Sequence, residues 1–449
     1  MVKKNDTDKF NKLILEFKKE FKKNQAPIEI SFKDIVNDIK ANERFTHQIH
    51  SYPAKLLLHI PYFFLNNSYF SKKDDIIIDP FNGSGTVALE CLLSDRIFYG
   101  ADANPIANLI SKTKVTYLDL DSLKITLQEI IKNSKNRETS HTPEVRNLNF
   151  WFPANTISSL SKIYTSIMEI NNNDVRDFFL ISFSSIIKKV SYCDTRISVP
   201  VKLNPERYTD KKIKNKIKEK IKGIENTNIF EKFSQVCLDN IERLSELYAT
   251  KCDLSKFKYL SNDARQLRIS ENEIMPDEFA QLIITSPPYA GAQKYIRASS
   301  LNLGWTNLAS LAELNKLERI NIGREIHKKA DIQIKPTGII EADLIIEEIN
   351  STNSERAFIA YKYLEEMKTA FDEMYRVLKK NGYIILIIGN NKITGKEFNT
   401  QEYLTQYAIS KGMKLHFKLI DNIKSYGLMT KRNKTADIIS REYVLVLKK

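Results

Sequence analysis

The stretch DDIIIDPFNGSGTVALECLL (74–93) constrains the fold more than any other. Ile76 to Ile78 form a short apolar run of the buried-strand kind. Pro80 ends it, having no N–H to give a ladder, and Asn82-Gly83-Ser84-Gly85 turns the chain. Val87 to Leu93 then read as helix. The segment RIFYGADANP (96–105) is a second short strand that closes in Gly100 and Asp102. Strand, glycine turn, helix and strand make one βαβ unit, so the expected fold class is α/β with a doubly wound, mostly parallel sheet.

The rhythm breaks twice. From 119 to 255 the pattern is mostly helical and predicts an inserted subdomain, and a polar insertion follows at about 291–355. Strand-like segments resume at FKYLSNDAR (257–265) and FAQLIITSPPY (279–289). Later, YLEEMKTAFDEMYRVLKKNG predicts an amphipathic helix closed by Asn381-Gly382, ahead of the buried strand YIILIIGNN. The chain is expected to finish as two strands joined by a basic loop. At the other end, Leu13, Ile14, Phe17 and Phe21 stand at helical spacing among lysines, which predicts a basic accessory arm over 1–45. The core is thus expected in three pieces, 46–118, 256–290 and 356–449. A length of 449 residues and 42% hydrophobic residues suffice for a core of this size.

Gly83 and Gly85, between strand and helix, let a ligand approach the backbone where a Cβ would stand. Asp79 ends the first strand, and Asp102 ends the second, where a carboxylate accepts both hydroxyls of a ribose. Ala88 takes the place of a third glycine, so the turn suits a nucleoside without a diphosphate. The tetrapeptide Ser286-Pro287-Pro288-Tyr289 follows an apolar strand. Two prolines force a rigid extended turn with carbonyls directed out of the sheet, Ser286 adds a hydroxyl acceptor, and Tyr289 offers a ring for a flat base. That set recognises the exocyclic amine of a nucleobase. Accepting hydrogen bonds from both N–H groups localises the nitrogen lone pair, with no strong base and no covalent intermediate. Methylation at cytosine C5 needs a cysteine after a proline, and Cys91, Cys193, Cys237 and Cys252 do not follow one.

Taken in order, these residues resemble the DNA amino-methyltransferases, S-adenosylmethionine-dependent enzymes that modify cytosine-N4 or adenine-N6, often as partners of restriction endonucleases. The resemblance implies a Rossmann-like methyltransferase core with S-adenosylmethionine as cofactor, double-stranded DNA as substrate, and a cognate nuclease as a further partner. HQIHSYPAKLLLHIP (47–61) is similar to the family's segment before the first strand, placing Tyr52, Pro53, Ala54 and Lys55 near the methionine end of the cofactor. DPFNGSGT matches its cofactor loop, which implies roles for Asp79, Pro80, Phe81, Gly83, Ser84, Gly85 and Thr86, with Phe81 against the adenine. Asp102, Ala103 and Asn104 fall at its ribose acid, Asp263 and Ala264 at its adenine contact. TSPPY matches its catalytic motif, and serine in the first position is more usual for cytosine-N4 enzymes. Adenine-N6 methylation, an RNA substrate and a non-catalytic DNA-binding subunit are the rival readings.

Lys and Arg number 69 against 55 Asp and Glu, a formal net charge of +14 that suits a polyanionic partner. With target recognition expected in the two insertions, Arg196, Lys202 and Arg207 in the irregular segment 192–208 are candidate DNA contacts. So are Lys294, Tyr295 and Arg297 after the catalytic turn, as holders of the flipped strand's backbone, and Lys431 and Arg432 in the basic loop. Neither a signal peptide nor an 18-residue apolar run is present, so the expected location is the cytoplasm, with no membrane partner.

Overall fold

The computed structural model describes residues 4–37, 39, 44–53, 55–138, 141–290, 295–325, 327, 332–422 and 441–449. Its strands are β1 (Ile28–Ile30), β2 (Ile76–Asp79), β3 (Ile97–Gly100), β4 (Phe257–Tyr259), β5 (Arg268–Ser270), β6 (Glu273–Ile274), β7 (Ala280–Thr285), β8 (Leu378–Ile388), β9 (Asn391–Ile393), β10 (Lys396–Phe398), β11 (Lys414–Asn422) and β12 (Arg441–Lys448). Eight of them form one sheet in the order β1-β11-β12-β8-β7-β2-β3-β4, while β5–β6 and β9–β10 are separate two-stranded pairs. β12 alone runs antiparallel to its neighbours in that sheet. Chain order reverses between β2 and β7, the place where doubly wound sheets open a crevice for ligands.

Side chains alternate across the sheet with period two. Ile78, Ile283, Ile384, Leu386 and Leu445 pack under helices Ile340–Thr352, Ser354–Val377 and Thr400–Ser410. Ile77, Leu282, Ile284, Ile385 and Val444 pack on the other face against helices Lys4–Asn24, His59–Leu65 and Thr86–Leu93. The mostly helical region 119–255 builds a third core. That core also takes in Ile106 and Ile110 of helix Pro105–Lys114 and Leu301, Leu303 and Trp305 of helix Tyr295–Trp305. The second insertion is therefore shared, because helix Ile340–Thr352 lies on the central sheet instead.

Two expectations need correction. The N-terminal segment is part of the core: Phe10, Ile14, Phe17 and Phe21 are buried against the sheet, and β1 adds an edge strand beside β11. Asn381-Gly382 does not close a helix. The helix stops at Val377, because Phe279 and Glu278 donate to the carbonyls of Val377 and Arg376 and draw the chain into pairing with the residues before β7. Asn381, at φ 63°, and Gly382 then form an irregularity inside β8. A Cβ on Gly382 would stand 2.9 Å from the Gln281 carbonyl, which is why the position takes glycine. No described helix is long and apolar enough to cross a membrane. Cys91, Cys193 and Cys237 are buried free thiols, and Cys252 is half-buried.

Candidate active site

The carboxylate of Asp79 ties the two strands at the reversal point. Thr285 Oγ1, at the end of β7, donates to Asp79 Oδ1 at 2.6 Å, and the Phe81 amide donates to the same oxygen at 3.1 Å. Burial pushes the Asp79 carboxyl up to about 7, against the pull of those hydrogen bonds. Beyond it the chain makes a tight turn. Asn82 N donates to the Ala101 carbonyl, Gly85 N to the Asn82 carbonyl, and Gly85 enters helix Thr86–Leu93 at φ 73°. Any Cβ on Gly85 would come within 2.5 Å of Ser111 Oγ and 3.1 Å of Ser111 Cα, so this glycine serves both conformation and packing.

Asp102, just past β3, accepts from Gly83 N and from Asn104 N, each at 2.9 Å, one on each oxygen. Burial raises its pKa and these two amides oppose the rise. Asn108 fixes the Asp102 backbone from both sides, accepting from its N–H at 2.8 Å and donating to its carbonyl at 2.7 Å. Asn104 Nδ2 reaches Tyr52 OH at 3.2 Å and Ser299 Oγ at 3.1 Å. The segment before β2 is thereby joined to the acid after β3. Ala103 is half-buried beside them.

Lys55, Leu56, Asp79, Phe81, Asn82, Gly83, Ser84, Thr86, Val87 and Ser286 line one cleft of about 320 Å³, counting the solvent at its mouth. Residues separated by some 200 positions in sequence are thus neighbours around a single opening. Pro80 and Pro287 are buried behind it, while Pro53, Pro288 and Tyr289 are half-buried. Tyr289 OH donates to Glu442 Oε1 on β12 at 3.2 Å, and burial holds the phenol well above its ordinary pKa. Gly323, at φ 78°, lies against this turn: a Cβ there would stand 2.9 Å from the Tyr289 carbonyl.

Sequence reasoning missed the charges packed behind the loop. Glu90, fully buried on helix Thr86–Leu93, receives Arg44 Nε at 2.9 Å and Nη2 at 3.2 Å, and meets His47 Nε2 at 2.8 Å. Burial works to raise its pKa, but the charge of Arg44 and the hydrogen bonds outweigh it and Glu90 stays low. His47 is pushed down to about 3 by burial and is neutral. Lys55 Nζ donates to the His47 carbonyl at 2.7 Å, with burial lowering it to about 8. Lys114 is buried with Nζ on the Ser84 carbonyl, and burial holds its pKa well below the ordinary lysine value. A lone Glu in an apolar helix, VALECLL, was the one available signal, since an acid there needs a partner.

The other expected site residues are not in the lining of this cleft, and several carry partners. Asp263 is bridged by Arg265 at 2.8 and 2.9 Å, Arg265 also reaches Glu366, and Ala264 is buried. Arg196 is exposed and paired with Asp194 at 2.7 Å. Lys202 stands over the rings of Phe150 and Tyr192 at 4.3 and 4.9 Å, and Arg207 is exposed in a short 3-10 turn. Tyr295 is half-buried and Arg297 exposed on helix Tyr295–Trp305. Ala54, Lys294, Lys431 and Arg432 fall outside the described residues.

A family model described as DNA methylase, covering N6 and N4 enzymes, matches residues 1–113 and 280–449 and passes over most of the helical insertion. Over 372 residues the chain is 24% identical to the type II methyltransferase M.MvaI of Kocuria varians, spanning 78% of each protein. It is 30% identical over 132 residues to the type II methyltransferase M.MjaII of Methanocaldococcus jannaschii, which is 28% of this chain and 24% of that one.

Proposed function

This chain belongs to the N6/N4 DNA methylase family, and from that premise we propose that it methylates the N4 amine of cytosine in double-stranded DNA, as the modifying half of a restriction-modification pair. The observation that carries the reading is the placement of Ser286 in the same cleft as the glycine loop and Asp79. The family implies S-adenosylmethionine as donor, and the residues present fit it. Ser84 Oγ and Asn82 Oδ1 line the cleft, buried without a hydrogen-bond partner, and a Cβ on Gly83 would project toward the Tyr52 ring 3.8 Å away. When bound, this group supplies an electrophilic methyl.

The chain's own residues do the rest. Asp102 keeps lone pairs for ribose hydroxyls beyond those its two amides use. Lys55 offers a cation to a carboxylate, Phe81 would bound the adenine with Asp263 where the family resemblance sets it, and Tyr52 closes the side nearest Gly83. Ser286 Oγ and the Pro287 carbonyl would accept the two N–H groups of the target amine and aim its lone pair. Tyr289, its hydroxyl committed to Glu442, presents its ring to the flipped base. Arg196, Arg207 and Arg297 are exposed and suited to phosphates.

Mass spectrometry of nucleosides from DNA incubated with protein and S-adenosylmethionine tests this, beside Ser286→Ala and Tyr289→Ala. N4-methylcytosine that the variants fail to make is the expected result. N6-methyladenine would keep the chemistry and overturn the base assignment. Retained cofactor binding with no methylated base would favour RNA as substrate or a non-catalytic subunit.

A further inference from the structure

Helix Tyr295–Trp305 follows the catalytic turn in the chain and is pinned on one side by Asn104, whose amide donates to both Ser299 Oγ and Tyr52 OH. Ile296 and Ser299 are buried, whereas Arg297 is exposed. Residues four apart share a helix face, and helical side chains lean toward the N-terminus. Tyr295, one turn before Ser299, is therefore carried on the pinned face, toward Tyr52 and the cleft.

Three other tyrosines come toward this region from separate segments. Beyond the effect of burial, the Tyr295 hydroxyl adds to the raised pKa of Tyr52, Tyr289 and Tyr363, so it stands within electrostatic reach of all three. Tyr52 faces Gly83 in the cofactor loop, and Tyr289 belongs to the catalytic turn. Tyr363 is buried on helix Ser354–Val377, and its hydroxyl has no hydrogen-bond partner. A Cβ on Gly323 would touch the Tyr363 ring at 3.4 Å and the Tyr289 carbonyl at 2.9 Å, which sets Tyr363 beside the catalytic turn.

We propose that Tyr295 is a wall of the pocket that receives the flipped base, and not a holder of the DNA backbone. The proposal rests on the methyl-transfer reading above. A planar base between the cofactor loop and the catalytic turn would be bounded there by aromatic rings, and the unsatisfied Tyr363 hydroxyl would gain a partner at the base edge.

The test uses the full-length protein, unmethylated plasmid DNA and S-adenosylmethionine labelled in the methyl group, with cofactor Kd measured by calorimetry. Tyr295→Ala is expected to lower kcat about 10- to 100-fold, the range that base–aromatic stacking spans, with KM for DNA and the cofactor Kd within about threefold. A backbone contact behaves otherwise: Arg297→Ala is expected to weaken DNA binding and to reduce the slope of log K against log salt by about 0.9. A Tyr295→Ala protein with wild-type kcat and a raised KM for DNA would overturn the proposal. Where the alanine variant does not fold, Tyr295→Phe and Tyr295→Leu decide. Phe near wild type with Leu reduced supports it, and equal rates overturn it. Wild-type protein that labels no DNA would overturn the reading beneath, and that is seen before any variant is assayed.

Discussion

Replacing Asp79 by Asn tests whether a buried acid holds its proton at the junction of the glycine turn and strand β7. The Oδ1 acceptor for Thr285 and Phe81 is kept, and only the titratable group is lost. The carboxyl titrates near 7 in the folded protein against 3.8 as a free group. Between those values the native chain keeps a proton that the unfolded chain has released, so this group's contribution to stability falls as pH rises. From pH 5 to pH 8 the fall attributable to Asp79 is about 2–3 kcal/mol, close to two pKa units at about 1.4 kcal/mol each. Urea unfolding of wild type and Asp79→Asn at both pH values isolates it, because other titrating groups cancel in the double difference. Relative to wild type, the variant should be about 2–3 kcal/mol better off at pH 8 than at pH 5. An identical difference at the two pH values would show that Asp79 is ionised in the folded state, and would refute the argument from burial.

Gly85→Ala should abolish cofactor binding in calorimetry, since a Cβ meets Ser111 at 2.5 Å and the left-handed conformation alone costs an alanine about 1–2 kcal/mol. Glu90→Gln leaves Arg44 facing a neutral partner in a buried site and should lower urea stability by about 3–5 kcal/mol, with midpoint shifts reading the loss. Ser286→Ala should cut methyl transfer by about 10²-fold, the scale of a lost positioned hydrogen bond, while its cofactor Kd stays near wild type.

The βαβ opening was legible because proline, glycine and the change of period fall at fixed places: Ile76–Asp79, the turn at Gly83 and Gly85, and Ile97–Gly100 all form as expected. That TSPPY faces the glycine loop followed from topology, since both lie at carboxyl ends of neighbouring parallel strands. What escaped depended on contacts between distant segments. Nothing near Arg44 or His47 announces Glu90, and nothing local distinguishes a free amphipathic helix from Lys4–Asn24, whose apolar face is covered by strands of the C-terminal half. Asn381-Gly382 has the composition of a helix stop, yet pairing of the residues before β7 decided its conformation. For Lys202, a candidate DNA contact in the irregular segment 192–208, the structure adds the rings of Phe150 and Tyr192 beneath its ammonium, neighbours the sequence did not announce.

The edge strand β1 has a consequence for synthesis. Ile28 pairs with Leu419, and β11 pairs otherwise with β12, the last described strand. During translation β1 therefore leaves the ribosome long before β11 exists to pair with it, while Phe10 and Phe17 of the first helix already have Tyr62 and Phe63 of helix His59–Leu65 to pack against. Such delayed, long-range closure slows folding and leaves the nascent chain sticky. A fragment cut before β11 would leave β1 without its partner strand in the described sheet, an open edge of the kind that invites aggregation.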